Sequence, residues 1–319
     1  MLRRWPPETR DVPMPDADGA TPPASPEVEA KEMMDRARTL IRSGLIQEVI
    51  PLCDEVYRRH TTSRVPALQL QVARALGHRG AVLSEQGRVV DALIHFEEVE
   101  RRFWSPRKPA LWEGVAWALF YRACLLMEQD TPQQALQCVG ELLRRFGASE
   151  HPPGGLRSAV GAGRVLLANV YNQLEEFEEA LRLSEALLEA CDGDPEPLKV
   201  DMTSAALMQR AHALQGLGHS EEALECFDEV DVRYCEDPDP RMRALVSAAL
   251  MGRVLVLLRE GMLYEALSAM NAILEHAGPH PYPRQQPMVD FARVHREVLE
   301  GQLEEERKKL ERMKKRWRK

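Results

Sequence analysis

Five arginines recur at a fixed place along this chain, Arg36, Arg79, Arg122, Arg210 and Arg253, with Leu167 filling the one gap. Such a row suits two kinds of chemistry. It grips an acidic ligand, or it forms an internal ladder in which each stem packs between helices and pairs with an acid such as Glu48, Asp91, Glu222 or Glu265. The ladder is the expectation here, because the position falls at the edge of the apolar face. A second charged feature closes the chain, where Arg307 to Lys319 holds nine basic residues and one acid. Lys308, Lys309, Arg312, Lys314, Lys315, Arg316 and Trp317 are suited to nucleic acid, an anionic membrane surface or an acidic protein. They equally suit a solvated helix end that complements the helix dipole.

Other reactive side chains do not assemble into recognisable sites. His276 and His280 share a Gly- and Pro-rich loop with no third ligand, so no metal is expected. The six cysteines contain no Cys-x-x-Cys pair, and several fall on apolar helix faces, which points to reduced structural thiols. There is no glycine-rich phosphate loop, nucleophile elbow or catalytic carboxylate pair. Neither catalysis nor a cofactor is expected.

The elements that carry these residues repeat. An Ala-Leu pair recurs as Ala92-Leu93, Ala135-Leu136, Ala180-Leu181, Ala223-Leu224 and Ala266-Leu267, after a degenerate Val49-Ile50, at intervals of 43, 43, 45, 43 and 43 residues. Five residues before each pair stands Gly44, Gly87, Asp130, Glu175, Gly218 or Gly261, suited to a tight turn between helices. Twelve before it stands Ala37, Gly80, Ala123, Ala168 or Ala211, and Val254 in the last copy. A small side chain there lets two helices cross closely. Prolines at 23, 66, 109, 152, 197, 240 and 283 mark helix starts. Two extra residues near Pro153-Gly154-Gly155, together with Arg164, predict a bend or looser joint in the fourth copy. Pro51 is expected to delay or kink the second helix of the first copy.

A period in this range signals a solenoid. The small residue, the turn residue and the Ala-Leu pair resemble the tetratricopeptide repeat in a long-period form, over residues 23 to 283. That resemblance implies an all-α, right-handed solenoid of six helix-turn-helix repeats whose first helices line a concave face. Transferred by offset, 15, 11 and 8 residues before each anchor, that face includes Met34, Arg38, Ile41, Gly77, Phe120, Met127, Val165, Asn169, Asn172, Met208, His212, Gln215 and Met251. Adaptors of this family that clamp a terminal carboxylate use a Lys, Asn and Arg set, of which only isolated members such as Asn169 occur. The resemblance therefore implies a non-catalytic adaptor whose methionine-rich groove receives a peptide or helix of a partner protein; the alternative is that neighbouring helices or the capping helix already bury these residues.

Residues 1–22, rich in Pro, Asp and Ala, are expected to be a disordered arm. Residues 284–319 form a single helix with Phe291, Val294, Val298 and Leu303 covering the end of repeat six. Its outer part is supported by Glu304–Lys308, Glu305–Lys309 and Glu311–Lys315 pairs. The net charge of −8 combines a +8 tail with an acidic remainder, which argues against general nucleic-acid affinity outside the tail. No run approaches the ~18 apolar residues of a membrane span, and with no apolar run after Met1-Leu2-Arg3-Arg4 a secretory leader is not expected. A cytoplasmic location is expected.

Overall fold

A computed structural model describes residues 25–42, 45–148, 154–191, 197–237, 239–279, 281–282 and 285–317. Among them the chain forms thirteen α-helices and no strand. The helices are α1 (Pro26–Arg42), α2 (Val49–His60), α3 (Pro66–Glu85), α4 (Val89–Phe103), α5 (Trp112–Glu128), α6 (Pro132–Phe146) and α7 (Gly154–Gln173). They continue as α8 (Phe177–Cys191), α9 (Pro197–Leu217), α10 (Ser220–Tyr234), α11 (Pro240–Arg259), α12 (Leu263–Ala277) and α13 (Gln286–Trp317). The first twelve are six helix pairs and the last stands alone. The expected arm at residues 1–22 lies outside the described residues, as do Pro23, Gly44, Pro152 and Pro283.

Local sequence sets the boundaries. Pro66, Pro197 and Pro240 open α3, α9 and α11, and Pro109 opens a 3-10 turn, Pro109–Leu111, that leads into α5. Asp239 caps α11, its carboxylate accepting a hydrogen bond from the Arg241 amide at 2.9 Å. Pro51 sits in the first turn of α2, where its missing N–H costs no helical bond; a 3-10 turn, Ile46–Glu48, precedes it. The turns need left-handed backbone, with φ of 73°, 84° and 73° at Gly87, Gly218 and Gly261, and 54° and 60° at Asp130 and Glu175.

Packing follows the small-residue column. A methyl group at Gly80 would lie 2.4 Å from the ring of Phe96, so the missing side chain is what lets α4 press its buried phenylalanine onto α3. Gly252 gives Phe227 the same room between α11 and α10. The fourth pair does not loosen: α7 packs on α5, α6, α8 and α9 as α5 packs on α3, α4, α6 and α7. Arg164 is exposed and lies over the α6 C-terminus, its Nη2 3.4 Å from the Gly147 carbonyl.

The arginine column is a ladder, with a different set of acids from those expected. Arg79 meets Asp54 at 2.9 Å, Arg122 meets Glu97 at 3.5 Å, Arg210 meets Glu185 at 3.6 Å and Arg253 meets Asp228 at 2.8 Å. Each of these acids lies five residues after the Ala-Leu anchor of the preceding repeat, so every rung ties one pair to the next. Only Arg36 takes the expected kind of acid, Glu48, at 3.9 Å. Where the column breaks at Leu167, the acid position of the preceding repeat is Gly140, so both halves of that rung are missing together. Arg296 in α13 holds the same place for a seventh repeat.

α13 closes the stack by packing on α12 and α11. Its buried residues are Val289, Ala292, Leu299 and Leu303; of the expected set Leu303 is buried and Phe291 packs against the core, while Val294 and Val298 do not. Val294 and Val298 are exposed at 61% and 56%, and Phe291 is half-buried with its ring stacked on His295 at 3.8 Å. The small Ala292 faces the neighbouring helix, which the Val294–Val298 stripe, shifted by two residues, would not place there. Of the expected outer pairs Glu304–Lys308 forms at 3.5 Å, while Glu311 meets Arg307 at 3.7 Å.

One segment, Pro109–Glu128, is long and apolar enough on length and composition to cross a membrane. Its packing accounts for that composition. Val115, Ala116, Leu119, Ala123 and Leu126 are buried against neighbouring helices, and the remaining face is aromatic. A helix apolar on most of its surface, with Glu113 and Arg122 both paired, is what the centre of a stack requires.

Candidate ligand-binding groove

The first helices enclose a concave cavity of about 670 Å³. Its walls come from α1, α3, α5, α7, α9 and the start of α11, and among the described residues no second helix of a pair contributes. One wall is aromatic. Trp117 stacks on Tyr121 with ring centroids 5.6 Å apart, and Phe120 meets both edge-on at 5.4 and 5.6 Å. Burial pushes the Tyr121 phenol up to about 12, so it stays a neutral donor. Met34, Ile41, Val165 and Met202 extend the apolar surface.

The charged groups form one balanced cluster. Arg74 donates through Nε to Glu113 Oε1 at 3.1 Å and also pairs with it through Nη2. Asp35 accepts from Arg38 at 3.2 Å and lies 3.9 Å from Arg74. Gly155 makes this cluster possible, because a methyl group there would stand 2.2 Å from the Glu113 carboxyl carbon. Beside the cluster His78 is buried, with Nδ1 lacking a hydrogen-bond partner. Desolvation, with Arg74 and Arg38 adding to it and Asp35 opposing, pushes its pKa down to about 4, so the ring is neutral at pH 7. Each groove cation named here already faces a carboxylate, and Arg241 likewise meets Asp239 at 2.7 Å. The groove is therefore a paired-charge, largely apolar surface rather than an anion trap. Asn169 makes no hydrogen bond to another described residue, which leaves its amide able to meet a peptide backbone.

Met34, Arg38, Ile41, Gly77, Phe120, Val165 and Asn169 line this cavity, and the other six expected groove residues stand outside it. Met127 and Met208 are buried in the core between helices. Asn172 bridges α7 to α9, donating to the Gln209 carbonyl at 3.0 Å. His212 packs edge-on against Phe227 at 5.9 Å, and burial lowers its pKa. Met251 packs against the core of the last repeats, and Gln215, half-buried near the end of α9, offers its carbonyl to Arg259 at 3.3 Å. The cause is geometric: the lining position slides along successive helices. It lies 15 to 8 residues before the anchor in α1, 18 and 14 before it at Trp117 and Tyr121 in α5, and 25 before it at Arg241 in α11. The cavity thus runs obliquely across the first helices, and a fixed offset follows it only part of the way. A column 18 before the anchor, Arg74, Trp117, Ala162 and Ala205, carries much of the wall, and the aromatic cluster inside α5 was its readable signal. In the tail Lys308, Lys309, Arg312, Lys314 and Trp317 are exposed on α13, as expected of a solvated segment. Lys315 and Arg316 lie in the same helix.

Stacked helix pairs with a groove along their first helices define an α-solenoid. No family sequence model matches the chain, and no curated protein sequence does. Solved structures do. A tetratricopeptide repeat protein from Parabacteroides merdae matches with a TM-score of 0.52 at 14% identity, over 87% of this chain and 98% of that one. NprR in complex with its cognate peptide NprX matches with a TM-score of 0.57 at 16% identity, over 89% and 78% of the two chains. A Rap protein complexed with Competence and Sporulation Factor gives 0.57 at 15% identity, over 87% and 83%. The chain has the tetratricopeptide-repeat fold.

Proposed function

We propose that the chain is a non-catalytic adaptor that holds a peptide or helix of a partner protein in its concave groove. The observation that carries this reading is the 670 Å³ cavity lined, among the described residues, by first helices, with an aromatic wall and an Asn169 amide that bonds to no other described residue. Its volume falls within the range of ligand sites, about 300–1,000 Å³. Trp117, Phe120 and Tyr121 supply rigid apolar contact area for side chains, and Asn169 a hydrogen-bonding group for a main chain. NprR, which shares the fold, was solved with its cognate peptide, which is consistent with the reading.

A selection tests it. Random peptides displayed on phage are selected on the intact chain, and their affinity is then measured for the Phe120→Glu and Asn169→Ala variants. Weakening of tenfold or more in both variants, with helicity and melting temperature held, supports the groove. Peptides that bind all three proteins equally exclude it.

A further inference from the structure

α13 carries one stripe of positions spaced alternately by three and four residues: Val289, Ala292, Arg296, Leu299, Leu303, Glu306, Leu310, Met313 and Trp317. This is the seam of a coiled coil, with Leu303, Leu310 and Trp317 at a positions and Glu306 and Met313 at d. The array uses only the first half, where Val289, Ala292, Leu299 and Leu303 are buried against α12 and its neighbours. Past Leu303 the same seam runs on uncovered, with Leu310 and Met313 each 56% exposed and Trp317 89%. The helix itself continues without a break to Trp317.

We propose that this outer seam docks an acidic amphipathic helix of a partner protein as a coiled coil. The charges choose that occupant. The e and g positions that flank the outer seam are Arg307, Lys309, Lys314 and Arg316, all basic. The acids of this segment lie elsewhere, Glu304, Glu305 and Glu311 at b and c and Glu306 at d. Partner choice in a coiled coil is set at e and g, so the matching helix presents Glu or Asp there. A second copy of this chain is disfavoured, because a parallel pair would set Lys309 of each copy against Lys314 of the other. A membrane surface fits less well: only three apolar residues lie between Glu304 and Trp317, on a narrow seam, and four acids accompany them. Glu306 adds register, since a carboxylate at d calls for a cation from the partner.

The test uses the full chain and a synthetic four-heptad helix with Leu at a and d, Glu at e and g, and one Lys at the d position facing Glu306. Its comparators are the same peptide with Lys at e and g, polyglutamate, and phosphatidylserine vesicles. Fluorescence anisotropy at physiological salt should show the acidic peptide binding at least tenfold more tightly than the basic peptide or polyglutamate. Trp317 emission should shift to the blue. Leu310→Ser with Met313→Ser, both at exposed positions, should abolish binding while leaving the melting temperature unchanged. The proposal is overturned if the acidic peptide does not bind or if polyglutamate binds as well. It is equally overturned if the seam variant retains affinity, if vesicles alone are bound, or if sedimentation shows that the chain pairs with itself through this helix.

Discussion

At the scale of single residues the most informative group is His78. The ring is neutral because burial beside Arg74 and Arg38 holds it near 4, against about 6.5 in the unfolded chain. The unfolded state therefore binds the extra proton between those values, and folding stability falls as pH drops through them. From pH 7 to pH 5 the expected loss from this residue is about 2 kcal/mol. His212 and His276, also lowered by burial, act in the same direction, so the measurement is a difference. Between pH 7 and pH 5 the native chain should lose about 2 kcal/mol of stability relative to His78→Gln in urea unfolding; parallel curves would show that His78 titrates alike in the folded and unfolded chains. The ladder makes a second residue-scale prediction. Arg253 and Asp228 are partly exposed, so a double-mutant cycle should give a coupling of about 0.5–1 kcal/mol and no more. The regular arginines were plain in the sequence, but their acids were not. The partner belongs to the preceding repeat, and no local pattern says which neighbouring helix lies within reach.

Among elements, helix starts and turns were the most legible features, because proline and left-handed backbone are demanded by covalent geometry alone. The column that places Gly218 at φ of 84° makes Gly218→Ala cost about 1–2 kcal/mol in thermal or urea unfolding. Glu175 occupies the same conformation at φ of 60°, so Glu175→Gly should leave stability unchanged or raise it by up to about 1 kcal/mol. A loss there would mean that the Glu175 side chain contributes more than its backbone costs. Less legible was the face of α13 that meets the array. Two stripes of the same spacing run along it two residues apart, and only contact with α12 selects the one containing Ala292. The groove positions were legible at Met34, Arg38, Ile41, Gly77, Phe120, Val165 and Asn169 and lost in the later repeats. An offset copied along the chain ignores the rotation of each pair relative to the last, which carries the cavity toward the start of each later first helix.

For the whole molecule, six pairs in register expose two faces of different kinds. The first helices build a concave surface with paired charges and an aromatic wall, and the second helices carry exposed positions such as Ile94, 55% exposed on α4. The direct measurement is site-specific photo-crosslinking in the cells that naturally make the chain. A benzophenone amino acid replaces Phe120 in the groove or, separately, Ile94 on the outer helix, and adducts are identified by mass spectrometry. A groove adaptor yields a peptide segment of one partner joined at position 120 and absent at position 94. Adducts of equal yield at both positions, or at position 94 alone, would contradict a partner held in the concave groove.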